Sequence, residues 1–86
     1  MTIQVTQEDI DSGAFNSICR GPLNSAINRC LLEDCWSEVF LEIFIVYKVG
    51  ISQGTIYEIP KEGQNFILAF DSNKEVQPLF FEAFPK

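Results

Sequence analysis

The run from Glu38 to Ile51, EVFLEIFIVYKVGI, limits this chain more than any other segment. Val39, Leu41, Ile43, Ile45, Tyr47, Val49 and Ile51 fall on one side of a two-residue period, and Phe40, Glu42, Phe44, Val46 and Lys48 on the other. A period of two is the mark of a β-strand, and β-branched and aromatic residues suit it. Glu42 and Lys48 interrupt the run, which is also too short for a membrane-spanning helix. A strand with apolar side chains on both faces needs cover on both. One face predicts a helical layer; the other poses the functional question.

The remaining segments supply that layer. Thr2 to Thr6 alternates, with Ile3 and Val5 on one side, and predicts a half-buried strand. Thr6 and Asp9 have the spacing of a capping box for a short turn over 7–12, with Gly13 placed for a left-handed ending. Pro22 opens a helix expected to run to about Glu33. Its apolar stripe is Leu23, Ala26, Ile27, Cys30 and Leu31. Asp34 to Ser37 is expected to turn, and Gly50 and Gly54 bracket a second turn before the strand at 55–59. A second helix starts at Pro60, carries Gly63, Phe66, Ile67 and Phe70 on one stripe, and stops at Asp71-Ser72-Asn73. Residues 76–84 form the last strand, and Pro78 suggests an edge position.

The order β-α-β-β-α-β over 86 residues makes a single domain, residues 1–86, of the α+β class. The expected architecture is a two-layer sandwich with two helices on one face of a four-stranded, mostly antiparallel sheet, in the ferredoxin-like arrangement. If Ile43, Ile45 and Tyr47 face the helices, Phe40 and Phe44 face away, joined by Phe80 and Phe84 from the last strand. An exposed patch of Phe marks an interface. Phe40, Phe44, Phe80 and Phe84 are therefore the expected anchors, with Glu42, Glu58 and Glu82 as rim charges. The plain form of this expectation is a sheet-to-sheet homodimer; the sharper form is docking on a foreign protein.

Charge narrows the partners. A net charge of −6 opposes direct nucleic-acid binding and docking on anionic lipid, and it permits a basic protein partner. The acids are scattered and too thin for a nucleic-acid mimic. The three Cys are an odd number, and there is no His; three reduced thiols in a cytosol is the expected state. MTIQVTQED lacks the basic and apolar regions of a signal peptide, so a cytoplasmic location is expected.

Catalysis lacks its parts. No His can serve as a base near neutral pH. Cys19 lies beside Arg20 but has no evident base to activate it. Glu8, Asp9 and Asp11 fit no metal-binding loop, so no metal, no cofactor and no enzymatic activity are expected. An alternative is an oligomeric protein that sequesters a phosphorylated small molecule, held by Arg20, Arg29 and the amide of Gly21 at the helix start.

Five stretches carry a resemblance: VTQEDIDSG, P-L-x-x-A-I at 22–27, IP at 59–60, FILAFD at 66–71 and V-x-P-x-x-F at 76–81. Together they resemble a group of short, uncharacterised bacteriophage and prophage proteins. In that group a Cys-Pro pair opens the helix; here Gly21-Pro22 stands in its place, so no role for a thiol carries over. The resemblance implies a phage protein working in the host bacterial cytoplasm by binding a host protein, such as a defence nuclease or effector, in the manner of an anti-CRISPR inhibitor. A phage accessory or structural dimer is the other expectation it allows.

Overall fold

The computed structural model describes residues 1–51 and 53–86. The elements are β1 (Thr2–Val5), α1 (Gln7–Ser12), α2 (Pro22–Arg29), β2 (Cys35–Val39), β3 (Ile43–Lys48), β4 (Thr55–Glu58), α3 (Lys61–Asp71) and β5 (Leu79–Glu82). The protein is α+β, and every pairing among its named strands is antiparallel. β1 pairs with β5, and β2, β3 and β4 form a three-stranded sheet. This differs from the single four-stranded, ferredoxin-like sheet expected from sequence, in which each helix would connect two strands of one sheet with a third between them.

The tail of β5 brings the two sheets together. Glu58 donates its amide to the Phe84 carbonyl at 3.1 Å, and Lys86 donates to Ile56 at 2.8 Å. Tyr57 and Pro85 face each other across this bridge. Pro85, which has no amide hydrogen, sits where none is needed. The layer thus reads β1-β5-tail-β4-β3-β2.

The difference in strand number has a local cause. The run from Glu38 to Ile51 holds the end of β2 and the whole of β3, joined through Phe40-Leu41-Glu42. The Phe40 amide closes the hairpin on the Ile43 carbonyl at 2.9 Å, and Val39 lies opposite Phe44. Opposed residues share a face, so crossing the turn exchanges odd for even. Val39 and Phe44 both point inward. Phe44 is 0% exposed and stacks on Tyr57, ring centres 4.9 Å apart. The expectation that Phe44 is a surface anchor is therefore corrected. Ile43, Ile45 and Tyr47, expected inside, take the outer face.

One core joins the layers: Ile3, Val5, Phe44 and Phe81 from the strands, with Ala83 just after β5, meet Leu23, Ala26, Ile27, Phe66 and Phe70 from the helices. Gly63 sets how closely α3 lies on β5. A Cβ there would stand 2.7 Å from Ile59 and 3.4 Å from the Phe81 ring, so the helix accepts the usual glycine cost of about 1 kcal/mol. α1 begins with the expected capping box between Thr6 and Asp9. Gly13, however, is extended with φ −74° rather than left-handed, and α2 stops at Arg29, four residues early.

Candidate functional site

α2 and its flanking loops cover several groups on both edges of the layer, and this narrows which surface remains for a partner. On β2, the Val39 amide donates to the Ile18 carbonyl at 2.7 Å and the Cys35 amide to Leu32 at 3.0 Å. Between them, the Asn24 side chain donates to the Ser37 carbonyl at 3.2 Å. On β1, Arg29 donates to the Gln4 carbonyl at 2.8 Å, and the Cys30 thiol lies 3.7 Å from the Thr2 carbonyl. Unpaired edge groups are the usual template for strand addition. Here side chains and loop carbonyls take several of them.

The outer face of the sheet is open. Trp36 and Tyr47 stack across β2 and β3, ring centres 4.4 Å apart. Ile45 lies opposite Ile56, and Ile43 opposite Glu58. Phe84 follows alongside Glu58, and Phe80 and Glu82 alternate outward from β5 while Phe81 turns in. Phe80 is 75% exposed, Phe84 67% and Trp36 43%. Exposed aromatic and branched side chains spread over several strands form the kind of patch that marks an interaction surface.

Carboxylates border this patch. Glu38 accepts from the Tyr47 hydroxyl at 2.9 Å, which holds the phenol proton and raises the Tyr47 pKa. Glu82 is fixed by the Thr2 hydroxyl and by the N-terminal amine at 3.5 Å. These contacts, that of Thr2 foremost, keep the Glu82 carboxyl below its ordinary pKa. Glu42 and Glu58 line a shallow cleft of about 190 Å³ beside Ile43, with Lys86 at its margin. All three rim carboxylates named from sequence are exposed.

Of the four Phe named from sequence, Phe80 and Phe84 stand on this face. Phe44 is in the core. Phe40 is exposed but turns to a separate groove of about 290 Å³ between α3, the start of α2 and the loop before it. Ile18, Leu41 and Leu68 share its rim, and Phe66 and Phe70 line it. The sequence reading missed Trp36, Ile43, Ile45, Tyr47 and Ile56, because it placed a turn over Asp34–Ser37 and carried one strand through the hairpin. The strand propensity of Cys35-Trp36-Ser37-Glu38-Val39 was the available signal.

Two of the three residues named for an anion are otherwise engaged. Arg29 donates to both oxygens of Asp9, at 2.8 and 2.7 Å. The Gly21 amide donates to Asn24 Oδ1 at 3.0 Å. Arg20 is exposed in the loop before α2. Among the described residues no three metal-ligating side chains converge, and no helix is long and apolar enough to cross a membrane. Comparison with protein-family models, characterised proteins and solved structures found no match to this chain.

Proposed function

We propose that this chain is a non-enzymatic, phage-type inhibitor that docks on a host bacterial protein and blocks its working surface. The outer sheet face is the docking surface. Trp36, Ile45, Ile56, Phe80 and Phe84 supply buried area on contact, and the bordering carboxylates set orientation. One observation carries the reading: exposed apolar side chains occupy the open face of a layer whose edges are partly covered by α2 and its flanking loops. Large aromatic side chains surrounded by polar groups are the usual energetic centres of protein interfaces. The resemblance to phage proteins directs the choice of partner to a host defence nuclease or effector, in the manner of anti-CRISPR inhibitors.

The test is a phage-plating assay in bacteria that carry a defence system, with and without the chain. Wild-type chain is expected to raise plating efficiency. Phe80→Asp combined with Phe84→Asp is expected to abolish that rise while the purified variant keeps the wild-type melting temperature. A folded double variant with full activity would remove the outer face from the mechanism.

A further inference from the structure

We infer that the occupant of the outer face is a Lys/Arg-rich protein surface, of the kind that holds nucleic-acid phosphates, and not a second copy of this chain. This rests on the docking reading above and names the partner's chemistry.

The charge on the face carries the inference. Glu38, Glu42, Glu58 and Glu82 stand among the apolar side chains of this face, Glu38 opposite Ile45 and Glu58 between Ile43 and Phe84. Two cations stand with them, Lys86 from the tail of β5 and the N-terminal amine 3.5 Å from Glu82, so the four carboxylates still outnumber the positive charges. Two other cations of the chain are committed elsewhere: Arg29 to Asp9 at 2.7 Å and Lys48 to Asp34 at 3.7 Å. Lys48 also falls on the same side of β3 as Phe44, away from the outer face. A second copy docked face to face would set carboxylates against carboxylates around a desolvated centre, and juxtaposed like charges are a strong barrier to association. A partner ringed by Lys and Arg turns the same groups into attractions.

The edge closures point the same way. Strand addition by a second copy would need a free edge, and α2 covers groups on both edges. Proteins that bind nucleic acid present a field of Lys and Arg, often with aromatic platforms for bases. An apolar face carrying both aromatic side chains and carboxylates complements both features. Occupancy of such a surface by this chain and by nucleic acid would be mutually exclusive.

The experiment places the photocrosslinker benzoylphenylalanine at Phe80 or Phe84, with Lys74 on the α3–β5 connection as the control position. Crosslinking is done in the bacterial host, and the captured partner is identified and purified. The expected crosslinked segment is rich in Lys and Arg. Affinity should fall about tenfold or more between 50 and 200 mM salt, as for other interfaces dominated by charge. Glu58→Lys should weaken binding, while Glu62→Lys on exposed α3 should not. The chain should also release a labelled single-stranded oligonucleotide from the partner.

Crosslinks joining two copies of the chain would overturn the inference in favour of a homodimer. A neutral or acidic partner segment, salt-indifferent affinity, or an oligonucleotide that stays bound would overturn the charge argument but leave protein docking standing. No crosslink from either Phe position would remove the docking reading itself.

Discussion

The side-chain amide of Asn24, on α2, donates to the main-chain carbonyl of Ser37, on β2, at 3.2 Å. The same nitrogen reaches the Ile18 carbonyl at 2.9 Å, and the Asn24 oxygen accepts from the Gly21 amide. One side chain, 1% exposed, thereby caps its own helix, anchors the preceding loop and closes a sheet edge. Ser37 adds a link of its own, donating its hydroxyl to Asn28 at 2.8 Å.

Asn24→Asp is expected to be more harmful than its near-identical shape suggests. The carboxylate would still accept from Gly21, but its second oxygen would face the Ile18 and Ser37 carbonyls without a proton to offer. Burying an unpaired charge costs several times more than losing one hydrogen bond. Chemical denaturation at pH 7 should show Asn24→Asp destabilised by about 3 kcal/mol or more, and Asn24→Ala by about 2. Equal losses would mean that the edge contact contributes nothing beyond packing.

The two classes of Phe should separate cleanly by stability. Phe44→Ala empties a fully buried site stacked on Tyr57 and should cost about 3–5 kcal/mol. Phe84→Asp changes a side chain 67% exposed and should stay within about 0.5 kcal/mol of wild type. Melting curves of the two variants check this directly. A large loss at Phe84 would place it in the core and disqualify it as a docking residue.

Gly63→Ala tests how tightly α3 lies on the sheet. In an open helix this substitution stabilises by about 1 kcal/mol. Here the new methyl would stand 2.7 Å from Ile59 Cγ2 and 3.4 Å from two carbons of the Phe81 ring. A net loss of about 1–2 kcal/mol is expected, because overpacking outweighs the propensity gain. A stabilised variant would show that α3 can lift from the sheet at little cost.

Much of the fold was legible in the residues. The Thr6–Asp9 capping box, the α2 stripe from Leu23 to Ile27, the inward Phe66 and Phe70, and the outward Phe80 and Phe84 all follow from short-range patterns. The hairpin at Phe40-Leu41-Glu42 was not legible, because no Gly, Pro or Asn marks it and its flanks share the same strand-forming composition. That one unmarked turn reversed the faces of Phe44 and Ile45 and hid half of the candidate site. Arg29 was misread for a different reason. An Arg on the wet side of a helix reads as free until the fold brings Asp9, twenty residues earlier, against it. Closure of the sheet edges by Asn24 and Arg29 is likewise a long-range outcome that no local pattern encodes.

The Asp9–Arg29 pair makes stability depend on pH in a definite direction. Asp9 is 4% exposed. It receives two bonds from Arg29, the Thr6 amide at 2.9 Å, and cover from the surrounding chain. The Arg29 bonds dominate and hold the Asp9 carboxyl below its ordinary pKa, against the opposing effect of burial. A carboxyl depressed in the folded state binds fewer protons there than when unfolded, so its contribution is complete above the ordinary Asp value of about 4. That contribution is lost as the pH falls through the lowered folded value. Arg29→Gln leaves the carboxylate with fewer donors and also frees the Gln4 carbonyl on the β1 edge. Because half of the Arg29 side chain is solvent-exposed, the expected cost at pH 7 is about 2 kcal/mol, below that of breaking a fully buried pair. At pH 2 the difference from wild type should shrink, since part of the Asp9 charge is then titrated. Denaturation of wild type, Arg29→Gln and Asp9→Asn across pH 2–7 checks both the sign and the pairing. Wild type should lose stability on acidification, and Asp9→Asn should show a shallower slope. Parallel curves for all three proteins would exclude the pair as a source of acid sensitivity.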